Sequence, residues 1–229
     1  MAQLGQWVGD SRKSLDHWVA YLQLRDDPQA REHAWRLAFQ LYDYERGITL
    51  MQSTAGGNRL SDEKLDAVVF GYDSMGEPGK SEVWLRQYLN RYPSHRLAWS
   101  RLLQNLENTQ QFEAQTDAWD RMAKRFDLTI AERIQWASAY WRIYQPEKAW
   151  TVLDIDNRNI DDPDYWRLVA GLAWELERDD ELRLTYERML ERGITLNTGE
   201  ENDLIEFYRL KQPRKALDML LKGWRERGD

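Results

Sequence analysis

The sequence predicts an all-α solenoid of about six helix-turn-helix repeats. Three observations predict it. Trp99, Arg133, Trp166 and Glu200 open four helical patterns spaced 34, 33 and 34 residues apart. A period near 34 is that of a two-helix unit that buries its apolar face only by stacking on its neighbours. Pro28, Pro78, Pro146 and Pro213 each stand three residues before Arg31, Ser81, Ala149 and Ala216, one shared frame position where a helix starts. Proline is tolerated there because the first turn leaves its N–H unpaired anyway. The composition, 42% hydrophobic and 31% charged with only six prolines, fits a folded helical chain and argues against disorder.

The elements follow in order. Trp18, Val19 and Leu22 form a first helix; Asp27-Pro28 breaks it; Trp35, Ala38, Phe39 and Tyr42 form a second, giving a repeat over 11–46. The register then jumps. The counterpart of Ser81 is Arg31, 50 positions earlier, so an insertion of about 16 residues is expected near 46–61, with Gly56-Gly57-Asn58 as a loop. Such an insertion is a functional loop, a tolerated surface excursion or a short extra helix. The repeat 61–94 pairs the stripe Leu65, Val68, Val69, Phe70, Tyr72 with Val83, Trp84, Leu85, Tyr88, Leu89, broken by Gly76 and Pro78. The repeats 95–128, 129–161, 162–195 and 196–229 follow. Capping boxes are expected at Thr129 with Glu132 and at Thr198 with Glu201, and an N-cap followed by proline at Asp162-Pro163. The whole is expected to be one solenoid, an internal segment of a longer array with a start Met added; residues 4–7 resemble the tail of a second helix, and the chain stops soon after Trp224.

Charge and composition narrow the function. A formal net charge of −7 disfavours a nucleic-acid binder, and the absence of cysteine excludes disulfides and thiolate metal sites. No run of apolar residues is long enough to span a membrane. His17, His33 and His95 form no zinc-binding spacing and read as solvent-facing helix residues. The stretch 154–159 starts like a calcium loop. It then places Arg158 where an oxygen ligand belongs, Asn159 where glycine is needed and Tyr165 where the bidentate glutamate should stand, so it reads as a polar inter-repeat turn. No phosphate loop surrounds Gly56-Gly57. No metal, cofactor or catalytic residue is therefore expected.

Trp99, Leu102, Leu103, Leu106, Phe112, Trp119 and Met122, then Trp136, Ala137, Tyr140, Ala149 and Leu153, then Trp166, Val169, Ala170, Ala173, Tyr186, Met189 and Leu190 follow the tetratricopeptide repeat (TPR) pattern. The chain resembles that family over nearly its whole length, with departures at Leu103, Leu204, Arg31 and Gln115. The resemblance implies a right-handed superhelical array acting as a non-catalytic protein-interaction scaffold. It also implies that first helices line an inner face through frame positions 2, 5, 9, 12 and 13.

Position 12 reads Gln23, Asp73, Glu107, Trp141, Trp174 and Tyr208. The last three are expected either to form an aromatic ladder that contacts a ligand or to pack between neighbouring helices. Asp16, Asp66, Asp73 and Glu107 make the earlier part of the face acidic, which suits a basic protein patch or a cationic polysaccharide. The Lys–Asn carboxylate clamp of chaperone-binding TPR domains is missing: position 9 reads Ala20, Phe70, Gln104, Ser138, Gly171 and Ile205.

The phrase Asp164, Tyr165, Trp166, Arg167, Leu168, followed by Ala173, Trp174, Glu175, Leu176, is similar to the Trp-rich TPR region of the PelB family of exopolysaccharide export proteins. That resemblance implies a periplasmic segment of an outer-membrane protein. Such a segment would recruit a PelA-like polysaccharide deacetylase or hydrolase and guide the polymer to a pore. The alternative is a soluble, generic TPR adaptor for a peptide or protein in another pathway.

Overall fold

The computed structural model describes residues 10–52, 59–153 and 160–227. Every element among them is an α-helix: α1 (Ser11–Leu24), α2 (Pro28–Gln40), α3 (Tyr44–Gln52), α4 (Asp62–Ser74), α5 (Pro78–Arg91), α6 (Arg96–Asn108), α7 (Phe112–Ala123), α8 (Ile130–Arg142), α9 (Pro146–Leu153), α10 (Pro163–Glu175), α11 (Asp179–Glu191), α12 (Thr198–Lys211) and α13 (Pro213–Arg227). The expected tail of a helix at 4–7, the loop at 56–58, the turn at 154–159 and the side chain of Trp224 lie outside the described residues.

The helix starts revise the register at the N-terminal end. Even-numbered helices begin at Pro28, Asp62, Arg96, Ile130, Pro163 and Thr198, every 33–35 residues. Odd-numbered helices begin at Ser11, Tyr44, Pro78, Phe112, Pro146, Asp179 and Pro213, every 33–34. The period runs through 46–61 without a jump. α2 is thus the first helix of a repeat and α3 its second, and α1 occupies a second-helix place ahead of them. Pro28 aligns with Pro163 at the head of a first helix, not with Pro78, Pro146 and Pro213 at the heads of second helices. The discrepancy arises from that alignment of Pro28, because proline is equally tolerated at the head of either helix. Gly47 fills the small-residue position of the close helix crossing: a Cβ there would stand 2.6 Å from the Phe39 ring. Gly71 meets the same cluster from α4, where a Cβ would stand 2.9 Å from the Ile48 Cδ1.

The turns repeat with the same period. Tyr42, Gly76, Gln110, Tyr144 and Glu177, each just past a first helix, adopt φ between 54° and 71°. The next N–H reaches back five residues, Asp43 to Ala38 (2.8 Å), Glu77 to Tyr72 (2.9 Å), Gln111 to Leu106 (2.9 Å), Gln145 to Tyr140 (3.0 Å) and Arg178 to Ala173 (2.8 Å). This is the Schellman closure, which satisfies the last helical carbonyls and reverses the chain. Four of the five residues are not glycine, so packing of the flanking helices holds a conformation that costs an L-residue about 1–2 kcal/mol.

First-helix N-caps are equally periodic: Asp27, Ser61, His95, Thr129, Asp162 and Asn197. Thr129 and Glu132 form the expected capping box. The last box sits one residue earlier than expected. Asn197 accepts from the Glu200 N–H at 3.0 Å, and Glu200 accepts from the Asn197 N–H at 2.7 Å. The opener tryptophans are wholly buried, and each indole donates to a carbonyl six residues back in the preceding loop: Trp99 to Pro93 at 2.8 Å, Trp166 to Ile160 at 2.7 Å. Each therefore fastens a repeat to the loop that precedes it, and truncating a side chain of this kind to Ala costs about 3–5 kcal/mol.

Contacts divide the chain into two compact units, 1–111 and 112–229, with the boundary inside the third sequence repeat. The first unit is built on Leu15, Ala34, Trp35, Ala38, Ile48, Met51 and Val68. The second is built on Ala137, Tyr140, Ala149, Leu153, Trp166, Val169, Leu182, Tyr186 and Leu204. Within each unit first helices touch, α4 against α6 and α8 against α10.

Candidate partner-binding face

In the observed register, first-helix position 12 is Phe39, Asp73, Glu107, Trp141, Trp174 and Tyr208, with Phe39 replacing Gln23. Position 5 is led by Glu32 in place of Asp16, and position 9 by Arg36 in place of Ala20. Asp16 belongs to α1, a second helix by spacing. It pairs with Arg46 of α3 at 2.7 Å and lines a separate cleft of about 380 Å³ with Arg12, Tyr42 and Asp43. It does not join Asp66 and Asp73.

On the first unit, α2 and α4 are tied by ion pairs. Glu32 meets Lys64 (2.9 Å) and Arg36 (2.8 Å), and Arg36 meets Glu63 (2.8 Å). Burial raises the Glu32 pKa, but donation from Lys64 and Arg36 outweighs it and holds the carboxyl down at about 2. One turn along, Arg101 of α6 grips Asp66 of α4 with two hydrogen bonds, 2.7 and 3.1 Å, and donates to the Gln104 Oε1 at 3.2 Å. Beyond them α4 and α6 frame a cleft of about 340 Å³ lined by Phe70, Asp73, Gln104, Asn105 and Asn108 with Asp66 and Arg101. Asp73 makes no ion pair among the described residues, and partial burial pushes its carboxyl above the ordinary value. Phe70 is 57% exposed and ends a run of edge-to-face rings, Trp35–Phe39, Phe39–Tyr44 and Tyr44–Phe70, at centroid separations of 5.8, 5.3 and 5.8 Å. Aromatic character that position 12 alone located in the C-terminal repeats is thus present here as well. Glu107 is exposed on α6, outside that cleft's lining.

On the second unit the three expected aromatics have different environments. Trp141 is half-buried, its ring lying over Gly171 of α10, where a Cβ would stand 2.7 Å from Cη2. Tyr208 is only 5% exposed and donates to Glu187 at 2.7 Å. Trp174, 67% exposed, is the member with a free face.

One polar group escaped the sequence reading. His95 is 1% exposed, not solvent-facing. Its Nδ1 lies 2.8 Å from the Tyr88 hydroxyl and its Nε2 2.8 Å from Asp62, while the Leu60 N–H donates to Tyr88 at 3.0 Å. With Leu60 donating to the phenol, the phenol donates to Nδ1 and Nε2–H donates to Asp62, so each group in the chain is satisfied. The signal was available: His95 stands where the other repeats carry Asp, Ser, Thr or Asn as N-cap, and the histidine makes no cap bond. His17 and His33 are exposed as expected.

Residues 121–229 match the family model described as Tetratricopeptide repeat. Over these residues the chain is similar to a TPR array. A search of curated protein sequences finds no match. Solved structures resemble the chain at low identity and show the fold. The Naa15/Naa10 complex bound to HypK-THB aligns at 13% identity and TM-score 0.62, over 98% of this chain and 36% of that one. The C-terminal part of a TPR repeat-containing protein from Cytophaga hutchinsonii aligns at 11% identity and TM-score 0.55, over 95% and 90%. A MamA RS-1 double mutant aligns at 13% identity and TM-score 0.50, over 74% and 96%. Among the described residues no group of three or more His, Asp or Glu side chains could hold a metal ion, and no helix is long and apolar enough to cross a membrane.

Proposed function

We propose that this chain is a non-catalytic interaction scaffold that receives a protein partner on its first-helix faces. The observation that carries this reading is side-chain chemistry on those faces that the fold does not consume: exposed Phe70 and Trp174, and an exposed Asp73 without a counter-ion among the described residues. TPR arrays supply extended surfaces and little chemistry of their own. One fold neighbour, Naa15/Naa10, is itself seen bound to HypK-THB.

Within that role we assign the chain to Pel-type exopolysaccharide export and biofilm formation. It would act as a periplasmic segment that recruits a PelA-like deacetylase or hydrolase and guides polymer toward an outer-membrane pore. Support for the finer assignment is the similarity of the Trp166 and Trp174 phrases to that family. The test is size-exclusion chromatography and calorimetry of the full chain with a purified PelA-like enzyme. A stoichiometric complex that weakens when Phe70 and Trp174 are replaced by Ala supports both levels. Complex formation with an unrelated partner, and none with the enzyme, reduces the reading to a generic TPR adaptor. Turnover of a glycan by the chain alone would overturn the scaffold reading.

A further inference from the structure

The cleft between α4 and α6 has a composition that selects its occupant. Arg101 is spent on Asp66, so the two charges cancel and Asp73 leaves the cleft with one uncompensated negative charge. Asn105, at 6% exposure, forms part of its floor. Its Nδ2 donates to the Pro78 carbonyl at 3.0 Å, which fixes the amide orientation and leaves a buried Oδ1 with no partner. A buried acceptor left open costs about 1–3 kcal/mol, so it marks a place for a donor. Asn108 adds an amide and Phe70 an exposed ring at the same cleft. The free polar groups are thus the Asp73 carboxylate, the Asn105 carbonyl and the amides of Gln104 and Asn108, with one net negative charge beside an aromatic face. Among side chains, lysine matches this set: three donors, no acceptor, a positive charge for Asp73 and an aliphatic stem for Phe70.

We propose that this cleft takes a lysine side chain from an extended segment of the protein partner. The inference rests on the scaffold reading and specifies which chemistry the first unit recognises. A lysine is favoured over an arginine because a planar guanidinium seeks a carboxylate fork, and the cleft's other carboxylate already holds one.

The test uses the full chain labelled with ¹⁵N. The probes are Nα-acetyl-lysine methylamide, its uncharged norleucine analogue, and a hexamer of glucosamine. The lysine probe should produce saturable shifts at Phe70, Asp73, Gln104, Asn105 and Asn108, and the norleucine probe none. Asp73→Asn, an exposed helix substitution, should weaken lysine binding about tenfold or more. Asp16→Asn, which changes the net charge equally, should leave it unchanged. Equal weakening by both variants would reduce the effect to general attraction by an acidic protein and overturn the proposal. So would stronger binding of the glucosamine hexamer at the same amides, which would give the cleft to the polymer. If a protein partner binds the chain and Asp73→Asn does not alter that binding, the lysine cleft fails while the scaffold reading stands.

Discussion

Replacing His95 with Ala tests how the first unit is held at its 59–62 segment. The imidazole is wholly enclosed and joins three elements: Asp62 at the head of α4, Tyr88 on α5, and Leu60 through Tyr88. Its removal orphans the Tyr88 hydroxyl proton in a buried site, at about 1–3 kcal/mol. It also leaves a void that large-to-small substitutions in cores place at about 2 kcal/mol or more. Asp62 is exposed and rehydrates, so its lost bond adds little. The expected loss is about 3 kcal/mol, a fall of about 6–12 °C in the thermal midpoint followed by circular dichroism. Tyr88→Phe alone should cost about 1–2 kcal/mol by stranding the histidine acceptor and the Leu60 N–H. The double variant should cost less than the sum, because each change removes a partner the other leaves unpaired. Strict additivity, or a loss under about 1 kcal/mol for His95→Ala, would refute the relay.

Gly47→Val should destabilise by about 1–3 kcal/mol in thermal melts, since its branched carbon enters the Phe39 ring; wild-type stability would contradict the close crossing at that position. Ala149→Arg forces a charge into a fully buried helix crossing and should cost about 3–5 kcal/mol in urea unfolding. Trp174→Ala should leave the melting curve within about 0.5 kcal/mol of the parent, whereas Tyr208→Ala, which empties a buried site, should cost about 3 kcal/mol. Tyr140, Tyr186 and Tyr208 have hydroxyls raised by burial and by Asp120, Asp203 and Glu187 respectively, Tyr186 to about 12. A raised acid is favoured in its neutral form by the fold, so this stabilisation is complete below the ordinary tyrosine value near pH 10 and is lost as pH rises through the raised values. Absorbance at 295 nm should show late-titrating tyrosines that ionise together with alkaline unfolding; full ionisation in the folded state near pH 10 would contradict it.

The helical period, the buried tryptophans at 99 and 166, the cap at Asp162 and the box at Thr129 were legible because each depends on local chain chemistry. The register before Leu65 was not. Proline suits the first turn of either helix of a repeat, so Pro28 alone does not say which helix it opens. His95 was misread because a lone histidine has no local signature, although its place in a row of N-caps marked it. The aromatic positions 141, 174 and 208 were correctly aligned in the frame, yet frame position does not set exposure. Gly171 lets one ring lie down, Glu187 anchors another, and the third has neither. The cleft at Asp73 was visible only in part: the acidic residues were legible, while the cancellation of Asp66 by Arg101 and the open Asn105 carbonyl are tertiary facts.

The left-handed turn residues carry a practical consequence. Tyr42, Gly76, Gln110, Tyr144 and Glu177 are all exposed and follow one another at intervals of 33–34 residues. The chain has no cysteine, so a single thiol placed at any of them would be unique in the molecule. Pairs of such thiols, carrying spin labels or fluorophores, form a ruler with graduations one repeat apart. Distances read along it in solution would reveal whether binding a partner changes the pitch of the array or leaves it rigid.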